Sequence, residues 1–190
     1  YGVTLKALKL GKLVDASGKW AGGKSLLVQV GDILDKGPEE LKIIDLFIRL
    51  KKEALAAGGA VYTLLGNHEI YNFQGEMDED GEKSNQQFGR FARFDYSKLP
   101  HQERFKGLSG PKLWRMIAFS PGGPLSGFFA KSPVFLKLGK LLFVHGGLRK
   151  IHVEYGIDRI NKETKAFIEG KGKLPDIMTG NKAPVQERRY

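Results

Sequence analysis

The stretch Ser25-Leu-Leu-Val-Gln-Val-Gly-Asp-Ile-Leu-Asp-Lys-Gly37 decides the fold, because an apolar run ends in it at a cluster of polar side chains. Residues 25–30 predict a short buried strand. Asp32, Asp35 and Lys36 follow this strand and are flanked by two glycines. In open α/β sheets ligands collect at the carboxyl ends of the strands, so this turn is a candidate binding site.

Two further apolar runs end in the same way. Residues 60–65 lead into Gly66-Asn-His-Glu69, and residues 140–144 lead into His145-Gly-Gly147. Carboxylate, amide and imidazole groups are all metal ligands, and three such strand ends in one chain predict a single metal site. The glycines permit tight turns and a close approach of the backbone to an anion.

A helix is predicted between the first two strands. Pro38 suits the first turn of a helix, and Glu39 and Glu40 suit its positive end. Apolar residues then recur near a 3.6-residue period, at Leu41, Ile44, Phe47, Ile48 and Leu55. A strand–helix–strand unit predicts parallel strands with a right-handed crossover, which brings Asp32 and Asn67 to the same edge of the sheet.

Other segments carry simpler expectations. We predict a short amphipathic helix over Val3–Leu10, with core candidates Val3, Leu5, Leu8 and Leu10. We also predict a helix over the core at Phe88–Phe94, a helix from Asp158 to Ile168, an exposed acidic stretch at Met77–Glu82 and a loop-like tail at Gly170–Tyr190.

The bulk composition restricts the function classes. The 190 residues suffice for one domain with a proper core, and no apolar run is long enough to span a membrane. The absence of cysteine excludes disulfides and thiolate metal sites. The net charge of +10 favours anionic partners, but the basic residues form no dense run, which disfavours a dedicated nucleic-acid function. We expect the cytoplasm or an organelle as the compartment.

The residue types fit a hydrolytic site with two cations. Asp32 is placed to bridge the cations, Asn67 offers an amide oxygen and His145 a ring nitrogen. His68 can act as a general acid oriented by Asp35.

Each of these residues taken alone is more often a cap or a structural residue than a ligand, and only the joint pattern favours chemistry. In this reading Lys36 directs a positive charge at a phosphate. The remaining histidines, His101 and His152, are expected on the surface.

These motifs resemble the phosphoprotein phosphatase, or calcineurin-like metallophosphoesterase, superfamily. Gly31–Gly37, Gly66–Glu69 and His145–Gly147 resemble the second, third and fourth signature blocks of that family. The stretches Trp20–Asp32 and Leu142–Leu148 are similar to its Shewanella-like branch. The resemblance is weakest between residues 71 and 118.

The resemblance implies an α/β fold, a β-sandwich flanked by helices, with two divalent metal ions (manganese, iron or zinc) at one sheet edge. It implies hydrolysis of phosphomonoesters, on phosphoserine, phosphothreonine or phosphotyrosine of a phosphoprotein or phosphopeptide, by a dimetal-activated hydroxide. The implied metal ligands are Asp32, Asn67 and His145, the proton donor is His68 oriented by Asp35, and Glu69 supports the ligands. Lys36 and Arg188 are the implied phosphate contacts.

Several departures from the family pattern qualify these expectations. The opening Gly-Asp-x-His-Gly block and the late Gly-His-Thr block are absent, so residues 1–190 are expected to be one catalytic domain truncated at both ends and inactive in isolation. Position 36 is lysine where the family has arginine, which loses the two-pronged grip on phosphate. Gln186 stands where the family usually has tryptophan.

Two rival functions stay open. A dinucleoside polyphosphate hydrolase uses similar blocks, and a catalytically inactive binding module would keep the fold and tolerate Lys36.

Overall fold

A computed structural model of the protein describes residues 1–77 and 81–188, without the side chains of residues 81–83. The helices are α1 Gly2–Leu10, α2 Glu40–Ala56, α3 Asn67–Gln74, α4 Gly81–Gln86, α5 Gly110–Phe119, α6 Ser126–Phe129, α7 Lys150–Tyr155 and α8 Ile157–Ile168. The strands are β1 Leu26–Gln29, β2 Ala60–Thr63, β3 Phe135–Leu138 and β4 Leu141–Val144. Short 3-10 turns cover Gln87–Phe91, Gln102–Phe105, Asp176–Met178 and Gly180–Lys182.

The strands of the described ranges pair in two sheets. β1 and β2 are parallel, with Leu26 opposite Ala60, and α2 connects them as the sequence predicts. β4 pairs antiparallel with β3. A hydrogen bond from the Leu65 amide to the Pro133 carbonyl at 3.0 Å is one of the contacts that join the two units. The three predicted strand ends are therefore close together, although only two of the strands share a sheet.

The prediction of three fully buried strands is wrong for β1 and β4. Leu26 is 59% exposed and Leu141 is 62% exposed, whereas Val61 on β2 is only 6% exposed. Within the described ranges each sheet has just two strands, so a strand has a partner on one side only. The apolar pattern identifies the strands but not the number of layers that cover them.

Helix α2 packs its apolar stripe against the sheet. Leu41, Ile44 and Phe47 are buried as predicted. The prediction is wrong for Ile48 and Leu55, which are 37% and 75% exposed. Leu50 and Ala54 continue the stripe instead and are fully buried. The helix advances 100° per residue, so the contact row passes through positions 47, 50 and 54 and leaves position 55 facing outward.

Four phenylalanines form the centre of the core and also line the region behind the candidate site. They are Phe73, Phe88, Phe119 and Phe129, and each is at most 1% exposed. Phe119 contacts the other three rings at centroid distances of 5.4–5.9 Å. Aromatic rings at such distances pack favourably edge to face, which fixes α3 and α5 against each other.

The chain termini and the middle segment differ from the sequence expectations in detail. On α1 only Leu8 is buried, and Val3 and Leu10 are 84% and 77% exposed. The expected helix at Phe88–Phe94 is a 3-10 turn ending at Phe91, and the expected tail loop contains two 3-10 turns. Much of the acidic stretch and the final two residues of the tail lie outside the described residues.

No helix in the described part of the chain has the length and apolar character to cross a lipid bilayer.

Candidate active site

Two glycines permit the ends of β1 and β2 to approach each other. A Cβ on Gly66 would lie 2.3 Å from the Asp32 Oδ1 atom, and a Cβ on Gly31 would lie 2.5 Å from the Gly66 nitrogen. No larger residue fits at either position without moving the backbone. These glycines admit the neighbouring strand end, and the predicted approach of the backbone to an anion stays a prediction.

Both aspartates of the first turn have left-handed backbone conformations. The φ angles are +59° for Asp32 and +58° for Asp35. Asp tolerates this region better than most residues, but the conformation is uncommon and is found preferentially at functional sites. The turn directs Asp32 towards the ends of β2 and β4 and directs Asp35 towards α3.

Asp32, Asn67 and His145 converge on one point. The His145 Nε2 atom lies 3.1 Å from the Asn67 Oδ1 atom and 3.4 Å from the Asp32 Oδ1 atom. The opposite ring nitrogen of His145, Nδ1, donates a hydrogen bond to the Val30 carbonyl at 2.7 Å. The structure thus assembles the three residues that the sequence predicts as ligands, each from a different strand end.

The donor set of these three residues fits a cation. Nε2 of His145 faces two oxygen acceptors, and with the ring proton on Nδ1 these three atoms together form a donor set for a positive charge. Ligand atoms bound at about 2.1 Å to one cation are themselves roughly 3.0–3.4 Å apart, which matches the observed spacing. Asp32, Asn67 and His145 would therefore hold one cation.

A second cation would need ligands beyond these three. Among the side chains that the structure describes, no three His, Cys, Asp or Glu residues are arranged to hold a metal ion. The cluster of Asp32, Asn67 and His145 is not such a group, because one of its three donors is the Asn67 amide. One carboxylate, one amide and one imidazole do not complete the coordination of two ions, whose shells each take four or more donors.

His68 forms a dyad with Asp35. Its Nδ1–H donates to the Asp35 Oδ2 atom at 3.0 Å, and the Asp35 side chain is only 4% exposed. The Lys36 ammonium lies 2.9 Å from Nε2 of the same ring. An ammonium has only donors, so it fixes Nε2 as the acceptor and Nδ1 as the protonated nitrogen.

Glu69 supports the turn rather than the ligands directly. Its carboxylate accepts hydrogen bonds from the amides of Gly66, Asp32, Ile33 and Leu34, at 2.7–3.3 Å. Burial raises the pKa of Glu69 to about 7, and its backbone donors act in the opposite direction. One side chain of α3 therefore fixes the backbone of two of the three strand ends that carry the candidate ligands.

The sequence analysis missed Arg115, Glu40 and Asn72, which surround Asp35. Arg115 donates to the Asp35 Oδ1 atom at 2.5 Å and to the Glu40 Oε2 atom at 2.8 Å. Burial raises the pKa of Glu40, and the Arg115 charge partly opposes this effect. Arg115 lies in the segment where no motif could be aligned, and its spacing from Asp35 along the chain offers no signal in the sequence.

Arg188 is not drawn into this cluster. Its Nη1 atom donates to the Glu187 carbonyl at 3.3 Å. Within the ranges 1–77 and 81–188 it makes no hydrogen bond or ion pair with the predicted site residues.

The other two histidines lie away from the candidate site. His101 is exposed as expected. The surface prediction for His152 is wrong, because His152 is fully buried and hydrogen-bonded to the Lys182 carbonyl.

A cavity of 260 Å³ opens beside the dyad, lined by Asp35, His68, Tyr71, Glu76 and Met77. The ring of Tyr71 meets the His68 ring edge to face at 6.0 Å. The Gln186 amide donates to the Tyr71 hydroxyl, so Gln186 contacts a residue that lines the cavity. The cavity gives a ligand direct access to the His68 ring.

Comparisons with known proteins agree with this geometry. The chain is 36% identical to Shewanella-like protein phosphatase 2 of Arabidopsis thaliana, over 97% of this chain and 54% of that protein. It is 28% identical to Shewanella-like protein phosphatase 1 of Plasmodium berghei, over 87% of this chain and 41% of that protein. The chain spans about half the length of these curated relatives.

The fold also matches solved crystal structures of a phosphatase. The crystal structure of the cold-active protein-tyrosine phosphatase of a psychrophilic Shewanella species superposes with a TM-score of 0.68 at 22% identity, covering 99% of this chain and 53% of that chain. At this level of identity the match shows the α/β calcineurin-like fold.

The sequence profile described as calcineurin-like phosphoesterase matches residues 7–186. Members of this family use a dimetal centre. The chain belongs to the calcineurin-like phosphoesterase family, and Shewanella-like protein phosphatases are among its curated relatives.

Proposed function

We propose that the protein is a metal-dependent phosphatase that hydrolyses phosphomonoesters of phosphoserine, phosphothreonine or phosphotyrosine in proteins. The observation that carries the proposal is the convergence of Asp32, Asn67 and His145 within 3.4 Å, beside the His68–Asp35 dyad. A cation site next to a positioned imidazole offers charge stabilisation and a proton donor, which metal-assisted phosphoester hydrolysis can use. The names of the relatives, protein phosphatase and protein-tyrosine phosphatase, support a protein substrate.

The metal ligands and the metal have separate parts in this proposal. Asp32, Asn67 and His145 would hold a divalent cation, with manganese, iron or zinc as candidates. When bound, divalent cations supply positive charge that polarises the phosphoryl oxygens and promotes ionisation of the attacking water.

The remaining steps belong to the side chains of this chain. The Lys36 ammonium binds a phosphate oxygen and thereby leaves Nε2 of His68, to which it is bound in the substrate-free arrangement. Once the ammonium has left, Nε2 takes up a proton from solvent and then donates it to the leaving oxygen, while Nδ1–H stays hydrogen-bonded to the Asp35 carboxylate. The cavity lined by Tyr71 and Met77 accommodates the group that carries the leaving oxygen.

The experiment that tests this function uses the protein expressed from its complete reading frame. Hydrolysis of p-nitrophenyl phosphate and of a phosphopeptide is measured with manganese, beside Asp32→Asn and the exposed-histidine control His101→Asn. We expect activity in the wild type and in the control, and loss in Asp32→Asn. Equal activity in wild type and Asp32→Asn would contradict the proposal.

A second candidate is hydrolysis of dinucleoside polyphosphates. One relative, the bis(5'-nucleosyl)-tetraphosphatase PrpE of Oceanobacillus iheyensis, is 28% identical over 75% of this chain and 48% of that protein. The same assay with a dinucleoside tetraphosphate separates the two, since kcat/KM should favour the phosphopeptide if our proposal is correct. A catalytically inactive module would bind manganese and turn over neither substrate.

A further inference from the structure

Arg115 lies at the centre of a buried polar network behind the His68–Asp35 dyad. Its side chain is 2% exposed, and its guanidinium lies 4.9 Å from the centroid of the Phe88 ring and 5.3 Å from that of Phe119. An arginine is almost never fully buried unless its charge is paired. The buried guanidinium therefore requires charged and polar partners, and one of them, Asp35, connects the network to the candidate site.

All three nitrogen atoms of the guanidinium donate hydrogen bonds in this network. Nη2 donates to the Asp35 Oδ1 atom, Nη1 to the Glu40 Oε2 atom and Nε to the Asn72 Oδ1 atom, at 2.5, 2.8 and 3.0 Å. Lysine has a compact charge and could not reproduce three contacts in one plane. The geometry thus depends on arginine itself and not only on its charge.

Every partner of Arg115 also holds Asp35 or His68. Asn72 donates to the Asp35 Oδ2 atom at 2.7 Å and to the His68 carbonyl at 2.9 Å. Glu40 accepts from the Asp35 backbone amide at 2.6 Å. The Asp35 carboxylate is consequently fixed at both oxygens and at its own backbone, and only its Oδ2 atom faces the His68 ring.

We propose that Arg115 is a positioning residue for proton donation: it holds the Asp35 carboxylate, and Asp35 in turn holds the His68 ring in line with the leaving group. The inference rests on the proposed role of His68 as proton donor. Asp35 has an uncommon backbone conformation, with φ of +58°, so its carboxylate has to be held by neighbouring groups to keep this direction. Arg115 approaches from α5, on the side of Asp35 away from the ring.

The kinetic test compares wild type with Arg115→Lys, using p-nitrophenyl phosphate and phenyl phosphate. The two esters are similar in size, but the phenolate leaves readily only when it is protonated. We expect kcat for phenyl phosphate to fall by roughly 10²-fold, the low end of a general-acid contribution, with KM little changed and a much smaller loss for p-nitrophenyl phosphate. Arg104→Lys is the matched control, since Arg104 also binds α3, through the Phe73 carbonyl at 2.9 Å, and is expected to change neither rate.

A spectroscopic readout is independent of turnover. In the proton NMR spectrum, the resonance of the His68 Nδ1–H is assigned by its disappearance in His68→Asn. This resonance should shift or broaden in Arg115→Lys and keep its position in Arg104→Lys. Equal losses on both esters with an unchanged Nδ1–H signal would reduce Arg115 to a structural residue and overturn the proposal. If Arg115→Lys does not fold, Glu40→Gln replaces it, because this variant weakens the contact of Glu40 with the guanidinium. We expect Glu40→Gln to lower kcat selectively for phenyl phosphate and to shift the His68 signal, both by less than Arg115→Lys would.

The two readouts also separate this inference from the proposed function. If the wild type hydrolyses neither ester, the function fails, and the His68 signal in the variants still decides whether Arg115 holds the ring. If the wild type is active and the leaving-group dependence is the same in Arg115→Lys, the positioning role fails and the function stands.

Discussion

The Lys36 ammonium and the His68 ring are in direct contact, with 2.9 Å between Nζ and Nε2. The atom of His68 that would face a leaving group is thus occupied by the side chain that would bind the phosphate. A lysine can leave this position without disturbing the turn, because it is exposed and flexible. The two side chains are expected to separate when a phosphate enters the site.

This contact predicts the effect of Lys36→Arg. An arginine offers a planar fork for two phosphate oxygens, so we expect kcat/KM to rise by about five-fold or more, equivalent to roughly 1 kcal/mol. Lys36→Met removes the charge and is expected to raise KM. Steady-state kinetics on p-nitrophenyl phosphate measure both, and a lower kcat/KM in Lys36→Arg than in wild type would show that the lysine is the better residue in this site.

The convergence of three donors predicts a loss of metal affinity when one is removed. Asp32→Asn and His145→Asn are each expected to weaken manganese binding by at least about tenfold, because each removes a ligand or its charge. His101→Asn changes an exposed histidine and should bind like the wild type. Isothermal titration of the metal-free protein gives the affinities, and unchanged affinity in both ligand variants would place the cation elsewhere.

The close approach of the two strand ends predicts that Gly66→Ala is destabilising. The new Cβ would lie 2.3 Å from the Asp32 Oδ1 atom, so Asp32 has to move. We expect the free energy of unfolding to fall by about 1–3 kcal/mol, with a parallel loss of manganese affinity. Gly127→Ala has open space around the added methyl group and serves as the control in urea denaturation.

Lys51 predicts a pH dependence of stability away from the site. It donates to the Thr63 hydroxyl at 2.7 Å and lies 4.8 Å from the centroid of the Phe128 ring. Burial lowers the pKa of Lys51 from 10.5 to about 8, and the charge of Lys131 contributes. Between these two pH values the unfolded chain binds the proton and the folded chain does not, so the free energy of unfolding should rise with pH there.

The substitution Lys51→Met tests this relationship. The stability difference between wild type and Lys51→Met should increase in favour of wild type from pH 8 to pH 10.5, because the variant lacks the titrating group. Lys52→Met removes an exposed lysine from the same helix and should leave the slope of stability against pH unchanged. A parallel pH dependence in wild type and Lys51→Met would contradict the prediction.

Much of the site was predictable from the sequence because its residues stand at strand ends. Asp32, Asn67 and His145 each follow an apolar run, and the parallel pairing of β1 with β2 brings the first two together. Asp35 and His68 then meet because they come three and one residues after these ligands in the chain. The placement of Arg188 near the phosphate was not supported by any contact, since a single residue in an irregular tail has no periodicity to fix its direction.

The strand ends, the α2 crossover and the identity of the clustered side chains were predictable, because they depend on local patterns of period 2 and 3.6. Only the tertiary structure decided which apolar faces are covered, that His152 is buried, and that Arg115 reaches Asp35 from another helix. Arg115 and Asp35 are 80 residues apart in the chain. No local pattern records such a pairing, because it arises from the packing of α5 against α3 around the Phe119 ring.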